Sequence, residues 1–123
     1  MPTNHFISLQ TGIDMTTLYR QEKENILASA YRDQNILPIS ETFDRAAFDT
    51  LLGETGCTAV RIYYGMSEDL LVHAIIVGVN ENNEDILPSS KNALSNSVTT
   101  DEAILEQGVR CPEDCAPPSP LNP

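Results

Sequence analysis

Cys111 and Cys115 are the pair in this chain whose type and spacing best suit site chemistry. The C-x3-C spacing falls within the range that zinc thiolates use. A closed structural zinc site, however, takes four ligands. Cys57, His5 and His73 are the remaining natural donors, and none is spaced as a second ligand pair. The two cysteines can instead close a disulfide, or stay as free thiols on a tail. Cys57 reads as a small core residue, since a nucleophile needs a nearby base and an electropositive setting. His73 shares an alternating face with Leu71, Ile75 and Val77, which suits a satisfied core or edge histidine better than a catalytic one. Arg61 can bind an anion or a partner, or pair with one of the chain's own carboxylates. Pro117, Pro118 and Pro120 give the tail a PxxP spacing that can dock into an aromatic groove. No dinucleotide or P-loop, zincin, nucleophile-elbow or EF-hand pattern is present.

The elements that must position these residues centre on Cys57–Asn80. Thr58–Tyr64 alternates, with Val60, Ile62 and Tyr64 expected on a buried face and Arg61 and Tyr63 opposite. Leu70–Val79 is apolar on both faces, which marks a central strand. Gly65–Asp69 suits an antiparallel hairpin turn. A hairpin alone is marginal, so further strands or a helix must cover it.

Upstream, Ser8 or Asp14 caps a helix that runs to about Asn25, with Leu27–Tyr31 extending it. Pro38 ends regular structure, and Ile36, Leu37 and Ile39 read as a buried connector. Ser40 or Thr42 opens a second helix whose apolar side is Phe43, Ala47, Phe48, Leu51 and Leu52, with Asp44 in its first turn and Gly53 or Gly56 closing it. Downstream, Glu81–Asp85 is a turn, Ile86-Leu87 starts a third strand, and Ser89–Thr100 is a loop. Thr100 or Asp101 caps a brief helix through Glu106, ended by Gly108. The following tail is too proline-rich for helix or sheet. The expected architecture is α+β: a small antiparallel sheet built on the central hairpin, packed by one or two helices. Residues 1–109 form one domain and residues 110–123 a Pro- and Cys-containing tail.

A chain of 123 residues can bury a core without metal or disulfide. Its 18 acidic against 7 basic residues leave a net charge of -11, which opposes binding to nucleic acid or an anionic membrane surface and favours solubility and a basic partner. No basic start followed by an apolar run is visible, and Ala74–Val79 is far too short to span a bilayer. The expected compartment is therefore the cytoplasm, where an odd cysteine count fits reduced thiols.

Thr42-Phe43-Asp44-Arg45, Leu51-Leu52, Gly56-Cys57, Arg61-Ile62-Tyr63-Tyr64-Gly65, Leu71-Val72, Val77-Gly78-Val79-Asn80 and Cys111-Pro112-x-x-Cys115 form a set. It resembles a family of short uncharacterised Bacteroidetes proteins with an RIYYG-type hairpin and a C-terminal CPxxC tail. The resemblance covers most of the chain from about residue 40 onward. It implies a bacterial family without implying an activity, and it directs attention to Arg61 and the cysteine pair. Members tend to carry a glycine in the turn after the second hairpin strand, where this chain has Asn82-Asn83-Glu84. Together these readings point to a non-enzymatic interaction or adaptor protein, or a subunit of a larger assembly. The alternative is a thiol- or zinc-dependent protein using Cys111 and Cys115.

Overall fold

A computed structural model of the chain describes residues 4–88 and 104–123. The expected loop at Ser89–Thr100 and the helix caps at Thr100 and Asp101 lie outside the described residues. The fold is α+β, as the alternation and helical spacings predict. Its centre is the hairpin of β2 (Ala59–Met66) and β3 (Val72–Val79). The ladder pairs Ala59 with Val79 at one end and Met66 with Val72 at the other. The strand thus carries on through Gly65 and Met66, and the turn falls at residues 67–71, where the Ser67 N–H donates to the Leu71 carbonyl at 3.0 Å.

β3 is the central strand, and the reason lies in its composition. It is apolar on both faces, so it must be covered on both. Ile76 on one face and Val77 and Val79 on the other are nearly inaccessible to solvent. The edge of β3 away from β2 is shared among short pieces of chain. β4 (Asp85–Ile86) pairs with Gly78 and Val79, and β5 (Ile104–Leu105) pairs with Ile76 and Val77. Nearer the hairpin turn, the Val72 N–H donates to the Ile36 carbonyl, and the Ala74 N–H to Glu41 Oε2, each at 2.8 Å. A carboxylate there takes the place of a neighbouring strand's carbonyl, so a buried backbone donor is not left unpaired.

Glu41 comes from β1 (Ser40–Thr42), which pairs antiparallel with β6 (Val109–Cys111) in a second, two-stranded sheet. α2 (Arg45–Leu52) follows β1 directly. Asp44 is its N-cap residue and not part of its first turn, and Gly53 closes it. Leu51 is fully buried against the sheet end at Gly78. A Cβ on Gly78 would lie 2.9 Å from Cys57 Sγ, so this glycine permits the close approach of the chain after α2. α1 (Leu9–Glu22) starts where Ser8 Oγ accepts the Thr11 N–H at 3.0 Å, which fulfils the expected cap. None of its residues is buried. It is held through Tyr19, whose hydroxyl donates to the Pro38 carbonyl at 2.6 Å, and through Arg20, which donates to the Leu121 carbonyl.

Four expectations are corrected. The stretch after α1 does not extend the helix; it turns and forms a 3₁₀ segment at Ser29–Tyr31. Ser40–Thr42 is a strand and not the start of a helix. Ile104 and Leu105 are extended, because pairing with β3 outweighs their local helical preference. The expected tail boundary after Val109 falls inside β6, and Cys111 is part of the buried core. In the turn after β3, Asn83 takes the left-handed conformation (φ 65°) that a glycine would otherwise supply. The Asn80 side-chain oxygen accepts the N–H groups of Asn82 and Glu84 there.

Candidate functional site

The register sorts the sheet's side chains into two faces, because directly paired residues in an antiparallel ladder share a face. Ala59, Arg61, Tyr63 and Gly65 lie with Val79, Val77, Ile75 and His73. Val60, Ile62, Tyr64 and Met66 lie with Gly78, Ile76, Ala74 and Val72. The side chains alternate as expected, but the face of β2 expected to be buried is exposed. Val60, Ile62, Tyr64 and Met66 are 41%, 50%, 79% and 60% exposed; on the other face Tyr63 is 44% exposed and Arg61 is half-buried.

Arg61 explains part of this difference. Its guanidinium reaches over β3 to Asp85 on β4, and also donates to the Asn83 side-chain oxygen. The Tyr63 hydroxyl donates to the other Asp85 oxygen. These long side chains span the face that carries Val77 and Val79. The Tyr63 hydrogen bond, followed by the Arg61 contact, holds the Asp85 carboxyl below the usual aspartate range. The same carboxylate raises the Arg61 and Tyr63 values. Arg61 therefore has the intramolecular partner that the acidity of the chain suggests.

The opposite face opens into an apolar groove of about 620 Å³ between the sheet, α1 and α2. Ile62, Tyr64 and Ala74 form its floor, and Tyr19, Ile39 and Phe48 are among its walls. Phe43 and Phe48 meet edge to face at a centroid distance of 6.0 Å, which fixes one wall. Burial raises the pKa of Tyr19, whose hydroxyl is held by the Pro38 carbonyl.

Beside the groove's end lies a charged cluster that sequence reasoning missed. Glu41 and Arg110 pair across the β1–β6 ladder, which positions Glu41 Oε1 3.8 Å from Arg110 Nε and 3.6 Å from His73 Nδ1. Glu106 Oε1 approaches His73 Nδ1 at 3.4 Å. Arg110 Nη2 donates to the carbonyls of Asn35, Ile36 and Val72, each at 3.1 Å. Only 6% of the Glu41 side chain is accessible. This cluster joins the two sheets. Its residues are far apart in sequence, so no local pattern announces it.

The other candidates are separated. His73 and Arg61 share a face but lie four positions apart along the ladder, or about 13 Å at strand rise, and line different depressions. Cys111 and Cys115 are joined as a disulfide with a Cα–Cα distance of 4.5 Å, so in this form neither is a thiolate ligand. Cys57 is a free thiol beside Gly78. Among the described residues, no group of three or more His, Cys, Asp or Glu side chains is arranged to hold a metal ion. Pro117, Pro118 and Pro120 are exposed, and the segment is held by Arg20 at Leu121 and by the Ser119–Asn122 bridge. No helix among the described residues is long and apolar enough to cross a membrane. No protein-family model matches this chain, and no curated protein or solved structure matches it.

Proposed function

We propose that this chain is a non-enzymatic docking module, an adaptor or subunit of a larger assembly, whose sheet face and groove take an apolar segment of a basic partner protein. The observation that carries this reading is the open apolar groove floored by Ile62 and Tyr64, two large side chains that a monomer of this size gains nothing by exposing. The net charge of -11 favours a basic partner by long-range attraction. Ile62→Glu tests it, since the side chain is half exposed and the substitution spares the core. The protein is immobilised in native lysate, and the retained partner is identified and titrated back in pure form. Stoichiometric binding by the parent chain that Ile62→Glu weakens at least tenfold supports the module. Binding unaffected by Ile62→Glu, or turnover of a small substrate, contradicts it.

The second reading is a thiol- or zinc-dependent protein using Cys111 and Cys115. The proximity of the two cysteines favours it, since the pair can cycle between disulfide and dithiol. Zinc would require the reduced form and further ligands. Protein reduced and purified without chelator is assayed for metal. About one zinc per chain, lost in Cys111→Ser, supports this reading; metal-free protein removes the zinc version.

A further inference from the structure

The free edge of β2 extends the docking reading and identifies how a partner is held. In an antiparallel ladder, alternate residues direct their N–H and C=O groups to opposite edges. The Val72 and Ala74 N–H groups point away from β2, to Ile36 and Glu41. Their ladder partners Met66 and Tyr64 must then point their own backbone groups away from β3. By the same alternation, so must Ile62 and Val60. Among the described residues, no strand pairs with that edge.

Natural sheets guard such an edge with lysine, proline, a bulge, an inward-pointing charge or a very short strand. β2 has eight residues, Ala59–Met66, with neither lysine nor proline, and an unbroken register to β3. Its one charged side chain, Arg61, is the sole guard of this kind, and it is neutralised by Asp85 on the face opposite the groove. The residues with outward backbone groups are also those whose side chains project on the groove face. A strand laid along β2 would therefore gain main-chain hydrogen bonds and apolar contact together.

We infer that the edge of β2 at Val60, Ile62, Tyr64 and Met66 binds an extended, basic segment of a partner protein by strand addition. This inference rests on the docking reading above. A second copy of the chain is disfavoured because each copy carries a net charge of -11. Alternating apolar and Lys or Arg residues suit the occupant: apolar side chains meet Ile62 and Tyr64, while basic ones project on the opposite face of the sheet and are drawn by the long-range field of the chain's net charge of -11. Covering Val60–Met66 takes about seven residues, or about 23 Å of extended chain.

The probe is a dye-labelled ten-residue peptide of alternating valine and lysine, titrated into the full chain and followed by anisotropy. Two comparison peptides carry N-methyl groups on alternate backbone amides, one set in each phase, and a third replaces lysine with glutamate. Ile62→Pro provides the protein control. Proline removes only an outward N–H at that position, so the ladder to β3 is kept; retained urea unfolding confirms the fold, and Tyr64→Lys serves if it does not. Strand addition predicts that one N-methyl phase and Ile62→Pro each weaken binding about tenfold or more, that the glutamate peptide does not bind, and that added salt weakens the complex. Binding of the parent peptide indifferent to both N-methyl phases and to the edge variants overturns strand addition while leaving groove docking in place. Equal binding of the glutamate peptide overturns the basic partner. A stable dimer in equilibrium sedimentation that an edge variant dissolves makes a second copy the occupant and overturns the assignment to a partner. No binding by any peptide overturns the peptide site; the docking reading is judged separately by its own Ile62→Glu experiment.

Discussion

Replacing Glu41 should be far more damaging than its position on a three-residue strand suggests. One carboxylate oxygen accepts the Ala74 N–H at 2.8 Å, and the other faces Arg110 and His73. Glu41→Ala removes both at once. Leaving a buried N–H without an acceptor costs about 1–3 kcal/mol. Removing one member of a buried ion pair costs about 3–5 kcal/mol in full, because the remaining charge stays desolvated. Arg110 keeps its three carbonyl acceptors and an 11% exposed side chain, which moderates that loss. About 3–4 kcal/mol is therefore expected for Glu41→Ala. Glu41→Gln should cost about half as much, since its amide oxygen can still accept from Ala74. Urea unfolding followed by circular dichroism measures both, and with a slope of about 1.5 kcal/mol/M the alanine midpoint falls by roughly 2 M. Native amide exchange should accelerate at Ala74 in the alanine variant before it does so at Val77. An alanine variant within about 0.5 kcal/mol of the parent would refute the claim that this carboxylate completes the β3 edge.

Other expectations follow from the same contacts. Gly78→Ala should lose about 1–3 kcal/mol in urea unfolding, because its Cβ would lie 2.9 Å from Cys57 Sγ; Cys57→Ala in the same chain should restore part of the loss. The Asp85 carboxyl is depressed in the folded state, so its contribution to stability is complete above the ordinary aspartate value of 3.8 and fades as the pH falls through the lower folded value. Asp85→Asn should flatten that acid limb in melts recorded across the range, and an unchanged limb would contradict the Arg61–Asp85–Tyr63 arrangement. Reducing the Cys111–Cys115 disulfide releases only a short loop constraint, since the cysteines are separated by 4 positions; Cys115→Ser should cost about 2 kcal/mol, read by urea unfolding with and without reductant.

The hairpin was legible because its strands announce themselves locally: alternation in β2, and an apolar run with β-branched residues in β3. Ser8, Gly53 and Ile86 were legible for the same reason, since caps and short strands beside a turn leave local signals. Which face of β2 is covered was not legible. Alternation separates Val60, Ile62 and Tyr64 from Arg61 and Tyr63, but coverage depends on distant partners such as Asp85, which draws the Arg61 guanidinium over β3 and accepts the Tyr63 hydroxyl. The β1–β6 pairing joins Ser40 to Cys111, too distant for any local pattern to predict. With it were hidden the Glu41–Arg110 contact and the core position of Cys111. The cysteine spacing allowed both zinc and a disulfide, and only the backbone geometry around Cys111 and Cys115 joins them. The open edge could be found only once the register assigned each backbone group to a side.

Residue-resolved amide exchange along β2 tests the central claim most directly, first on the free chain and then with the alternating valine–lysine peptide. The account predicts slow exchange at Arg61 and Tyr63, which face β3. It predicts fast exchange at Val60, Ile62, Tyr64 and Met66, slowed on adding the peptide. Slow exchange at those four positions in the free chain, or no change on saturation with bound peptide, would contradict an open edge that receives a partner strand.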